Sequence, residues 1–231
     1  MSKLSTKNIK TEGGGIPKSL QPGNHKCKII NVELEDFKFI PGALHLRMYL
    51  ETEPLKEGFE GFFIDKGDES KGRHDGQVGW VKASEWAFAD GETKRKVPVS
   101  RDQDILKFIK TLCQAFGRKD WLDAQDDKHD TIESLINAFI KDAPYKGVYL
   151  NWCIGGKEYK NKQGYTNYDL FLPKFNKAGV PFESLSASPS KIIKFKEDEH
   201  IRKAKVTQVT EFGETDTAGI NTTGHSDFNL D

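Results

Sequence analysis

The sequence predicts a mainly β domain with a helical insert. Three observations carry this: period-two alternation in the first hundred residues, a change to helical spacing at Ser100, and a return to alternation at Gly147. The chain has 231 residues, of which 36% are hydrophobic, 30% charged and 11% aromatic, enough for one medium domain with extensions.

Residues 1–22 predict a flexible basic arm, with Gly13-Gly14-Gly15 breaking regular structure and Lys3, Lys7, Lys10 and Lys18 outweighing Glu12. A strand is predicted over 25–34, with Ile30, Val32 and Leu34 on one face and Asn31 and Glu33 on the other. After the turn at Pro41-Gly42, residues 43–51 alternate most cleanly. Leu44, Leu46, Met48 and Leu50 form an apolar face, and His45, Arg47, Tyr49 and Glu51 a polar one. Phe59 to Ile64 predicts a third strand, followed by a polar loop from Asp65 to Gly76 that holds Lys71, Arg73 and His74. Residues 77–88 and 93–99 predict a hairpin with Asp90-Gly91 at its tip.

Ser100 and Gln103 have the spacing of a capping box, and Ile105, Phe108, Ile109, Leu112 and Phe116 follow at helical spacing before Gly117. Trp121 and Leu122 anchor a short turn. A second helix starts near Thr131, with Asp130 as the cap, Ile132, Leu135, Ile136, Phe139 and Ile140 as its apolar face, and Pro144 as its stop. In the returning strands, Val148, Leu150, Trp152 and Ile154 share one face, and Tyr168, Leu170 and Leu172 a face of the partner. Residues 191–210 predict a strand at Ile192, Ile193 and Phe195 and a short charged helix; no internal repeat is present.

Runs of strands broken by one helical block argue against an alternating βαβ sheet. They fit a five-stranded oligonucleotide/oligosaccharide-binding (OB) barrel with the helix between strands 3 and 4, an extra hairpin, and a tail. The domain spans 23–210, its helical insert 100–144, and a disordered acidic tail 211–231.

That tail has no Lys or Arg and five acids (Glu211, Glu214, Asp216, Asp227, Asp231), and it finishes Ser226-Asp227-Phe228-Asn229-Leu230-Asp231. The whole chain is formally neutral, with 35 basic and 35 acidic residues, so residues 1–210 carry 35 basic against 30 acidic, a net of +5. A basic body with an acidic, Phe-bearing tail suits a nucleic-acid binder that offers a docking peptide. Asp227, Phe228, Leu230 and Asp231 are the candidate partner-docking residues.

Candidate nucleic-acid contacts fall in several groups. The loop 155–164 sets Lys157, Lys160 and Lys162 around Tyr159 between glycines that let the finger close over a strand, with Tyr165 adjoining. Lysines neutralise phosphates, and an aromatic ring stacks on any base. His45, Arg47 and Tyr49 project together from the second strand. Period two puts Trp80, Lys82, Ser84, Trp86 and Phe88 on one side and Val81, Ala83 and Ala87 on the other. If the small residues pack on the barrel, the aromatics and Lys82 face a ligand; if the aromatics are core, Lys82 snorkels out. Lys71, Arg73, Lys94, Arg95 and Lys96 add positive charge.

Other chemistry leaves little trace. The six histidines show no paired metal spacing, and neither a Cys-x-x-Cys pair nor a phosphate-cradling loop occurs, so no catalytic residue, metal or cofactor is expected. Three dispersed cysteines argue against a disulfide framework and for a reducing interior. The start of the chain lacks an apolar leader, and no stretch approaches the roughly 20 apolar residues of a membrane span.

The order of elements from about 23 to 175, with the last six residues, resembles phage-encoded single-stranded DNA-binding proteins. The resemblance implies sequence-independent binding of single-stranded DNA, with RNA a further ligand, in replication, recombination or repair in the host cytoplasm. It implies recruitment of replication or recombination proteins through Phe228 and the acids beside it. Bacterial relatives end in Pro-Phe after a dense acidic run, whereas Phe228 here precedes Asn229-Leu230-Asp231, which predicts weak self-competition by the tail. Two rival readings stand beside this one. The first is a non-catalytic adaptor or strand-annealing mediator acting through protein contacts. The second is a small metal-dependent nuclease using Asp126, Asp127 and His129.

Overall fold

The computed structural model describes residues 18–57, 61–62, 73–92, 96–174 and 183–203. The predicted arm up to residue 17, Lys71, Lys94, Arg95, and the tail with Asp227, Phe228, Leu230 and Asp231 lie outside these residues.

The chain is mainly β and closes a five-stranded barrel. Its strands are β1 (Gly23–Asp36), β2 (Leu44–Thr52), β3 (Val78–Lys82), β6 (Tyr149–Lys160) and β7 (Thr166–Phe171), and they run in the order β1-β2-β3-β7-β6 with β6 pairing back onto β1. Every pair is antiparallel except β3–β7, which is parallel. This is OB-like topology, with the helices between the third and fourth barrel strands as the sequence predicts.

β1 can serve two neighbours because it bends. Its register slips between Ile29 and Asn31, and the extra residue, Ile30, turns out to solvent. Cys27 and Ile29 therefore point inward before the bulge and Val32 after it. The alternation placed Ile30 on the inner face; the bulge reverses that assignment. In β2 the predicted face holds throughout, with Leu44, Leu46, Met48 and Leu50 all buried. The third barrel strand is β3; of the strand predicted over 59–64, the described residues are 61–62, where Phe62 makes an isolated bridge to His74, and the rest lies outside the described residues. The long hairpin over 77–99 is also corrected. β3 pairs with β2 and β7, while β4 (Gly91–Glu92) and β5 (Pro98–Val99) form a separate two-stranded ribbon.

Three helices follow: α1 (Arg101–Ala115), α2 (Lys119–Asp123) and α3 (Ile132–Asp142). The Ser100 side chain caps α1 by accepting from the Gln103 amide. Thr131, not Asp130, caps α3 by accepting from Ser134. The apolar stripe of α1 (Ile105, Ile109, Leu112) and that of α3 (Ile136, Phe139) join the barrel interior (Met48, Leu50, Trp152, Ile154) in one core.

Both flanks of the barrel are covered. Residues 18–20, read from sequence as part of the arm, lie against β3 through hydrogen bonds between Lys18, Leu20 and Val78, and Leu20 enters the core. After the barrel, β8 (Leu185–Ser186) pairs with Asn151 and Trp152. Beyond the short charged helix α4 (Glu197–His200), β9 (Ile201–Arg202) pairs with Gly156 and Lys157. Ile192 makes an isolated bridge to Glu183 instead of a strand.

One glycine marks a close approach. A Cβ on Gly76 would lie 2.1 Å from the Thr52 carbonyl oxygen, beside the paired backbone of Thr52 and Gln77. Gly76→Ala is therefore expected to cost about 1–3 kcal/mol through forced backbone displacement. Chemical denaturation checks this; an unchanged midpoint would show that the turn yields freely.

Candidate nucleic-acid interface

In an OB barrel the ligand face is the outer surface of strands 2 and 3, flanked by the loops between strands 1 and 2 and between strands 4 and 5. Here those are the outer faces of β2 and β3, the turn 37–43, and the β6–β7 tip at 161–165.

Register places Arg47 opposite Lys82 and Tyr49 opposite Trp80. The Arg47 guanidinium lies 4.8 Å from the Trp80 ring centre, and the Tyr49 and Trp80 rings are 5.0 Å apart at 38°. Arg47 also binds Glu35 at 2.6 Å and Glu33 at 3.4 Å, both from β1. This hydrogen bond from Arg47 holds the Glu35 carboxyl below its ordinary range. Lys82 binds Asp169 of β7 at 2.7 Å. The strand face thus carries its own counter-charges.

His45 departs from the expected exposed row. The Phe37 ring packs edge-on against it at 5.1 Å, and it is buried. Burial, and secondarily the nearby charge of Lys82, hold its imidazole below the usual value, which disfavours the charged form that would bind a phosphate.

Of the two arrangements open for 80–88, small residues inward is the one found over β3. Val81 and Ala83 are buried, and Trp80 and Lys82 face outward. The strand ends at Lys82, so alternation does not continue. Phe88 is buried, with Lys174 over its ring at 5.0 Å and its backbone bonded to Leu44, which removes it from the ligand candidates. Trp86 is 65% exposed in the turn between. Its neighbour Glu85 is bound by Arg202 of β9 through both carboxylate oxygens, at 3.1 and 3.2 Å. Lys96 is exposed between β4 and β5, and Arg73 is exposed beside the buried His74. His74 itself is structural: its Nδ1 lies 3.2 Å from Glu51, whose other oxygen binds Lys28 at 2.9 Å.

The segment 155–164 is not a loop bounded by hinge glycines. β6 runs through Gly155 and Gly156 to Lys160. Added Cβ atoms there would meet the His200 carbonyl at 2.9 Å and the Pro22 ring at 2.6 Å, so these glycines admit neighbouring segments rather than letting a finger close. The true tip is Asn161–Tyr165. The Asn161 side-chain oxygen accepts from the Gln163 and Tyr165 amides at 2.9 Å each, and Gly164 takes φ 83°. Tyr165 is 68% exposed on this stapled tip, and Tyr159 is exposed at its base. Lys157, Lys160 and Lys162 are exposed on the same hairpin, with Lys160 bonded to the Thr166 hydroxyl.

Sequence reasoning missed the opposite loop. Phe39 is 86% exposed and Ile40 is exposed beside it, on a turn closed by hydrogen bonds among Phe37, Ile40 and Ala43. Phe37 supports Phe39 at 5.4 Å. The signal was available: once a barrel is read, Phe37-Lys38-Phe39-Ile40-Pro41-Gly42 is its first ligand loop.

Among the described residues, no group of His, Cys, Asp and Glu is placed to hold a metal, and no helix is long and apolar enough to cross a membrane. His129 bonds to Ser134 at 2.8 Å and Gln125 at 3.1 Å. Cys27, Cys113 and Cys153 are free and buried; burial pushes the Cys113 thiol up to about 11 and that of Cys153 to about 12. No protein-family model, curated protein or solved structure matches the chain.

Proposed function

We propose that this protein binds single-stranded DNA without strong sequence preference, as part of a phage replication or recombination system, and catalyses no reaction. The observation that supports this best is the distribution of open rings. Phe39 stands on one ligand loop of an OB-like barrel and Tyr165 on the other, with Tyr159 and Trp86 exposed nearby on β6 and after β3. Exposed rings serve no core, and each stacks on a base at about 1–3 kcal/mol. Lys157, Lys160 and Lys162 supply phosphate contacts along the hairpin. The acidic tail, through Asp227, Phe228, Leu230 and Asp231, recruits replication or recombination proteins; its composition supports this part of the reading.

Fluorescence anisotropy of labelled oligo-dT against the full chain, across a salt series, tests the proposal. Tyr159→Ala is expected to weaken oligo-dT, oligo-dA and mixed sequences alike, by about 1–3 kcal/mol. Replacing Lys157, Lys160 and Lys162 together by alanine should flatten the salt slope by about 2, at roughly 0.7 per phosphate contact on a single strand. Absence of binding at low salt would refute the proposal and favour an adaptor that works through protein contacts.

A further inference from the structure

The cations in the middle of the ligand face are already occupied. Arg47 and Lys82 sit opposite each other on β2 and β3, and carboxylates reach them from the two flanking strands: Glu33 and Glu35 from β1, and Asp169 from β7. The partners differ in how firmly they are held. The Arg47 and Lys82 side chains are each 22% exposed, with Arg47 seated on the Trp80 ring, whereas the three carboxylate side chains are 41–47% exposed. The cations are fixed to the sheet and the acids reach over from the neighbouring strands β1 and β7. Ion pairs this exposed contribute little net stability, so exchange of one anion for another costs little.

We infer that Glu33, Glu35 and Asp169 are phosphate stand-ins: they hold Arg47 and Lys82 in the free protein and yield them to the phosphates of a bound strand. The inference rests on the reading of this face as a single-strand site. A free phosphate arriving alone must compete with carboxylates tethered to neighbouring strands. A strand whose bases are stacked on the loop rings presents its phosphates at high local concentration and displaces them. These acids thereby set the affinity and make Arg47 and Lys82 respond to a stacked polymer rather than to small anions.

The test compares the full-length protein with a Glu33→Gln, Glu35→Gln, Asp169→Asn variant, using labelled oligo-dT over a salt series. The variant is expected to bind about three- to tenfold tighter and with a steeper salt dependence, since freed cations join the phosphate contacts. Adding Arg47→Ala to that variant should remove the part of the gain that exceeds the effect of Asp169→Asn. Asp169→Asn alone, which leaves the Arg47 network intact, is expected to give a smaller gain of about two- to threefold and serves if the triple variant unfolds. Equal or weaker binding by well-folded variants, with the parent still binding, overturns the inference while the proposed function stands. If neither parent nor variants bind at low salt, the proposed function fails and the inference falls with it.

Discussion

Alanine in place of Trp152 is expected to destabilise the fold more than any other single side-chain truncation in the barrel. Trp152 is the largest fully buried side chain, and it belongs to the one core that the barrel shares with α1 and α3. Removing an indole from a packed core costs about 3–5 kcal/mol in lost transfer energy and cavity formation. A second loss adds to it. The indole Nε1–H donates to the Cys27 carbonyl at 3.0 Å in a buried bond, and a hydrogen bond of this kind contributes about 0.5–1.5 kcal/mol. Domains of this size are stable by about 5–15 kcal/mol, so the variant sits near the limit of folding. Urea denaturation should show a sharp fall in midpoint with little change in slope. Trp152→Phe, which keeps most of the ring and loses the bond, should fall between. A loss below about 1 kcal/mol for the alanine variant would mean that the core collapses around the site far more readily than its burial implies.

Removing the two loop rings together is expected to abolish most of the oligonucleotide affinity. Phe39 and Tyr165 are the most exposed aromatics among the described residues, and they stand on the β1–β2 turn and the β6–β7 tip. At about 1–3 kcal/mol for each stacked base, Phe39→Ala with Tyr165→Ala should weaken binding by about 2–6 kcal/mol if the rings hold different bases. A double-mutant cycle distinguishes that from a shared base, where the second loss would be smaller than the first. Both rings are surface groups, so unfolding should shift by no more than about 0.5 kcal/mol. Affinity unchanged in a well-folded double variant would remove the stacking component of the proposed function.

How far the sequence disclosed this molecule depended on how local each cause was. The inner face of β2, the cap and stripe of α1, and the facing of Leu150, Trp152 and Ile154 follow from neighbours in the chain, and all were legible. The third barrel strand was not. Val78–Lys82 reads as one arm of a hairpin, because its true partners are remote in the chain: Arg47–Glu51 of β2 and, beyond the whole helical insert, Leu170 and Phe171. A single extra residue hid the phase of β1, because alternation assumes an unbroken ladder. In the site, the residue types of Arg47, Tyr49 and Trp80 were readable, but their mutual occupation and the carboxylates on Arg47 and Lys82 belong to cross-strand register. His45 was misjudged because Phe37, from the adjoining turn, folds over it. Phe39 was passed over because an apolar run beside a strand reads equally well as core.

The parallel pairing of β3 with β7 has a kinetic consequence. It rests on two aligned residue pairs, Val81 with Leu170 and Lys82 with Phe171, while β1 and β2 share a long hairpin ladder. Hairpins form in microseconds, whereas non-local strand pairs wait on a costly loop closure. The β1–β2 and β6–β7 ribbons can therefore assemble early, each on its own side of the helices, and the barrel is completed only when two non-local joins are made, β1 to β6 and this narrow one. The narrower join adjoins Lys82 and Asp169, so the middle of the proposed binding face takes shape only as the barrel closes.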